Sequence, residues 1–171
     1  MNNIVWRNNG RFALLMATKL LVLNYIYLGP YIMPMLYVLF VLMLPTNTGR
    51  IPMLLIAFGT GLVADTASGM LGFHALACTV VAMLRIWFAD RILTRGEPVV
   101  INTPSLRSVT PQYFVAYLAL MLAAFYLVFY TTELWGFRSI IDILAATLLS
   151  TAVTTLLAVL YQLAFCKKEE A

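Results

Sequence analysis

Apolar residues in this chain come in long, nearly unbroken runs, and polar residues gather in short breaks between them. A helix needs roughly 17–25 mainly apolar residues to cross a hydrocarbon core about 30 Å thick. Runs of about that size extend over Phe12 to Leu28, Tyr31 to Leu44, Ile51 to Thr66, Met70 to Trp87, Tyr113 to Tyr130 and Ile140 to Phe165. Read as a single helix, Phe12 to Leu44 would be about 50 Å long at ~1.5 Å per residue, too long for a bilayer. Gly29 and Pro30 fall near its midpoint and Pro34 follows, so a hairpin is predicted there. The pattern predicts an all-α membrane protein of six transmembrane helices forming one integral membrane domain over residues 1–171. The remaining segment, about 88–112, is broken by Gly96, Pro98, Pro104 and Pro111 and reads as a loop that begins as a charged helical extension.

Composition agrees: 63% of residues are hydrophobic and 11% charged, against roughly 45–50% and 25% in soluble domains. Charge adds orientation, because Lys and Arg accumulate in short cytoplasmic segments. If both termini are cytoplasmic, then Arg7 and Arg11, Arg50, the set Arg85, Arg91, Arg95 and Arg107, and Lys167 with Lys168 all fall inside, and Arg138 alone outside. The net charge of +4 is thereby read as a topology signal that favours anionic lipid and calls for no nucleic acid. The apolar stretch after Arg7 and Arg11 lacks a small-x-small cleavage site and is expected to be retained. Cys78 and Cys166 are predicted at different depths and in the reduced state.

Ionisable residues inside the runs are few, and each demands a reason. Lys19 lies about 10 Å inside the first run, where its ammonium can reach back to the inner interface. The richest stretch spans Gly61 to His74. Gly61, Asp65 and Ser68 are spaced i, i+4, i+7 on one helix face, with Ala57 extending it inward. Small residues on such a face let helix backbones approach closely in lipid. Gly69 and Gly72 permit a tight turn, and His74 opens the following run, so Asp65, Ser68 and His74 are expected near the outer interface. Asp65 either ties the turn by hydrogen bonds or helps bind a partner. Catalysis would need a nucleophile with a base, or three or four metal ligands, and one His beside one Asp supplies neither. No catalytic residue, metal or cofactor is expected. In the last run Ala146, Ser150, Thr154 and Ala158 repeat every four residues, with Thr147, Thr151 and Thr155 alongside, marking close packing against a helix of this chain or of a partner.

The run from Asn24 through Pro34 and Tyr37 to Pro45, followed by Gly61-Leu-Val-Ala-Asp65 and then Gly72-Phe-His74-Ala, resembles the rod shape-determining protein MreD family. The likeness covers most of the chain and is strongest from Asn24 to Arg85. It implies a non-enzymatic component of the bacterial inner membrane that associates with the bitopic protein MreC, near the actin-like MreB and the wall synthases RodA and its penicillin-binding transpeptidase. The implied role is to position peptidoglycan synthesis and maintain cell shape. By position, Asp65, Ser68, Gly72 and His74 match the family's outer-end motif, and Asn24 and Pro34 its first hairpin. Lys19 departs from the family pattern, where an uncharged polar residue is expected. An alternative class has similar size: the substrate-binding component of an energy-coupling vitamin transporter, with Asp65, His74, Glu133 and Asp142 near an outward-facing pocket.

Overall fold

The computed structural model describes residues 32–44, 48–70, 72–93, 111–133 and 139–165. The first predicted span, with Lys19 and Asn24, lies outside these residues, as does most of the 88–112 loop. Every regular element described is helical: α1 (Val38–Leu42), α2 (Arg50–Ser68), α3 (Phe73–Leu93), α4 (Pro111–Glu133) and α5 (Ile140–Phe165). Helices α2, α4 and α5 are each long and apolar enough to cross a membrane, and the apolar part of α3, Phe73–Phe88, is shorter.

The side chains are not distributed as in a soluble protein: the core is largely apolar, but so is the exterior. Ile51, Leu55, Met83, Leu120, Leu148, Leu156 and Leu163 face outward, whereas Thr60, Asp65, His74, Arg85, Ser150, Thr154 and Gln162 are buried. A water-soluble fold would expose the second group and bury more of the first. In lipid the outward apolar surface costs nothing, and inward polar groups find partners in neighbouring helices. This surface is compatible with a membrane-embedded protein.

Helix α2 packs on α3, α3 on α4, and α4 on α5. Gly61 sets the first of these contacts, because a Cβ at that position would lie 2.3 Å from Ala75 Cα and 2.6 Å from its backbone nitrogen. The two backbones touch there, which only glycine permits. Ala57, Ala64, Ala75, Ala77 and Ala82 are buried as well.

The second predicted span is different from a transmembrane helix. Of its described residues, 32–44, only Val38–Leu42 is α-helical. Pro34 has no N–H to donate and disfavours helical geometry at Met33, so a helix cannot run through this point undisturbed. Beyond it the chain winds into α1 through i→i+3 bonds, from Val38 N–H to Met35 O (3.3 Å), Leu39 N–H to Leu36 O (3.0 Å) and Phe40 N–H to Tyr37 O (3.0 Å). Residues 34–39 and 41–44 are all buried. A stretch the hydrophobic pattern assigned to a lipid-facing helix is thus the centre of the core, where Tyr37 and Phe125 meet edge to face at 6.2 Å. The fourth predicted span, begun at Met70 from its apolar run, starts at Phe73, because Met70 N–H instead closes the end of α2 on Asp65 O (3.0 Å).

Candidate functional site

The α2–α3 turn is built from local chemistry. Helix α2 ends where Gly69 takes a left-handed conformation (φ 67°), and Gly72 has φ 88°. Both values favour glycine, which lacks the Cβ that would clash. The reversal aims the first N–H groups of α3 at the Asp65 side chain. Asp65 Oδ1 accepts from His74 N–H at 3.0 Å, and Oδ2 from Ala75 N–H at 2.9 Å. These donors have no partner within their own helix, and an anion at a helix N-terminus is favoured by the dipole. The His74 Nδ1 lies 2.9 Å from Asp65 Oδ1. An ionised carboxylate only accepts, so Nδ1 carries the proton that faces it. The imidazole packs against Phe129 (4.7 Å between ring centroids) and Tyr37 (5.9 Å).

Asp65 and His74 are therefore brought together. Gly61 lies one turn before Asp65 at the helix contact, Ser68 is half-buried at the last residue of α2, and Gly72 forms the turn. Asn24 lies outside the described residues.

A second polar cluster surrounds the start of the 32–37 segment. Tyr126 Oη is 2.8 Å from Met33 O, 2.9 Å from Met35 N and 2.6 Å from Thr154 Oγ1. A phenol has one proton. It goes to the Met33 carbonyl, so the Met35 amide and the Thr154 hydroxyl both donate to Tyr126. One turn along, Tyr130 Oη and Ser150 Oγ are 2.8 Å apart, and Met33 N–H donates to Ser150 Oγ at 3.3 Å. Ser150, Thr154, Ala146 and Ala158 are buried, so the four-residue ladder of α5 faces this chain's own interior. Pro34 is buried at the centre of this cluster.

The other end of the segment is held by Arg85, only 3% exposed. Its guanidinium donates to Val41 O (2.7 Å) and Leu44 O, carbonyls at the end of α1. Arg85, read from sequence as one cytoplasmic positive charge among several, turns its guanidinium inward as an internal brace. Tyr126, Tyr130 and Arg85 are the residues that sequence reasoning missed; the only available signal was that polar groups within apolar runs must find partners.

Chemically, the two clusters hold backbone. The Asp65 carboxylate is committed to the α3 N-terminus, and among the described residues no group of three or more His, Cys, Asp and Glu could hold a metal ion. No known protein family, curated protein or solved structure matches the chain.

Proposed function

We propose that this chain is a multi-pass, non-enzymatic scaffold of the inner membrane, of the MreD type, that associates with MreC to position peptidoglycan synthesis during cell elongation. The observation that carries the reading is the use made of the outer-end motif. Asp65 and His74 fix how one helix pair turns and packs, which is what a docking scaffold requires: a rigid shape presented to partners. The apolar outer surface, with polar side chains buried inside the bundle, supports membrane embedding. The sequence run from Asn24 to Arg85 supplies the resemblance, and the distribution of Lys and Arg supplies the orientation, with both termini cytoplasmic and six crossings in all, the second made by the interrupted 32–44 segment in place of a continuous helix.

Affinity purification of the tagged chain from native membranes in mild detergent, with mass spectrometry of what co-purifies, tests this reading. Recovery of MreC, with MreB, RodA or the transpeptidase in its train, is the expected result. Recovery of a transporter ATPase pair in its place would withdraw the scaffold reading and favour substrate uptake.

A further inference from the structure

Arg85 raises a question that its role as a brace leaves unanswered. A buried guanidinium keeps its charge in any protein environment, and carrying it out of water without a counter-ion is unfavourable. Its partners at Val41 and Leu44 are neutral carbonyls. The acids whose side chains are described, Asp65, Glu133 and Asp142, belong to the opposite end of the bundle: the last turn of α2, the last residue of α4 and the first turn of α5. None of these three carboxylates faces Arg85.

Register gives the depth of the site. Gly61 touches Ala75, and α2 and α3 run antiparallel. Counting eleven residues back from Gly61 reaches Arg50, and eleven forward from Ala75 reaches Ile86, so Arg85 lies level with the first residue of α2. Exposed Ile51, Trp87 and Tyr113 ring the same end. Trp and Tyr at this level mark the boundary between hydrocarbon and headgroups. Arg85 is therefore inside the bundle but at headgroup depth.

A second donor converges on it. The Tyr117 hydroxyl lies beside the Arg85 guanidinium, toward which its oxygen is an acceptor, its ring is 6.2 Å from Phe88, and its own proton meets no acceptor among the described residues. Gln162 on α5 reaches the same region, its amide donating to the Met43 sulfur at 3.1 Å. Three helices thus direct a cation, a hydroxyl and an amide toward the end of α1.

We infer that Arg85 and Tyr117 form a site for the phosphate of an anionic phospholipid, taken between the helices from the leaflet at the Arg50 end. A phosphodiester supplies a negative charge, accepts from a guanidinium in the two-pronged geometry Arg favours, and accepts a hydrogen bond from the Tyr117 hydroxyl. Basic sites between transmembrane helices on the cytoplasmic side bind such headgroups. The inference stands independently of the scaffold reading.

Native mass spectrometry of the full chain, titrated with phosphatidylglycerol or phosphatidylcholine in neutral detergent, tests it. Wild type is expected to hold its first phosphatidylglycerol at least tenfold more tightly than phosphatidylcholine. Arg85→Gln should reduce that preference to within twofold, Tyr117→Phe should reduce it about threefold, and Arg50→Gln, which removes an exposed charge at the same depth, should leave it. An undiminished preference in Arg85→Gln overturns the inference. So does an undiminished preference in Tyr117→Phe, the milder change that guards against a misfolded Arg85 variant. Occupancy by inorganic phosphate without discrimination between the lipids would overturn the headgroup as its source.

Discussion

The α2–α3 hairpin and the 32–44 segment solve the same problem in opposite ways. In the hairpin the backbone satisfies itself, through two long helices and a glycine turn, and one carboxylate serves the donors left over at the start of α3. In the 32–44 segment the helix is interrupted, and Tyr126, Ser150 and Arg85 from three other helices serve the backbone groups that a regular helix would have paired. Irregular backbone within a membrane is tolerated only where protein surrounds it, a condition that the burial of this segment would meet. Regular backbone leaves side chains free to join helices. Interrupted backbone consumes them.

Substitutions can break this contrast at either end. Asp65→Ala is expected to have the largest effect, a loss of about 3 kcal/mol, because it strips the buried His74 and Ala75 donors of a charged acceptor; reversible unfolding in mixed micelles would measure it. Next comes Gly61→Leu, at roughly 2–3 kcal/mol, because its Cβ alone would meet the Ala75 backbone. Gly59 sharpens the point. A Cβ there meets nothing within 4 Å, so Gly59→Ala should be neutral or stabilise the helix by up to about 1 kcal/mol, as the shift in thermal midpoint would reveal.

In the interrupted segment, Tyr126→Phe is expected to cost about 2 kcal/mol, since it leaves Met33 O, Met35 N–H and Thr154 short of a partner. Tyr130→Phe should cost about 0.6 kcal/mol, the ordinary scale of one hydroxyl pair between membrane helices. A double-mutant cycle of Tyr130→Phe with Ser150→Ala would isolate that pair term.

The two regions were also unequally legible. The spacing of Gly61, Asp65 and Ser68, with Gly69, Gly72 and His74 beyond, can be read directly because all its contacts are local: Asp65 reaches residues nine and ten positions away. Helices α2, α4 and α5 follow from apolar runs and end within three residues of where the pattern placed them. The interior of the 32–44 segment could not be read this way. Its run is as apolar as its neighbours, and a lipid-facing helix and a buried strap present the same hydropathy. Pro34 marked a hairpin rather than a break inside the next element. The partners that satisfy the break, Tyr126 and Ser150, lie 93 and 117 positions from Met33, and no periodicity connects them. The charge of Arg85 reads as part of the topology signal, and nothing local announces its carbonyl partners 44 and 41 positions away.

Side chains of other helices, above all Tyr126, hold the interrupted backbone in place. Hydrogen exchange of the full chain in lipid nanodiscs, compared between wild type and Tyr126→Phe, tests it most directly. Amides over 32–40 should lose at least tenfold protection in the variant while those in the middle of α2 keep theirs. Equal protection of 32–40 in both proteins, or a loss spread evenly over every helix, would contradict the account.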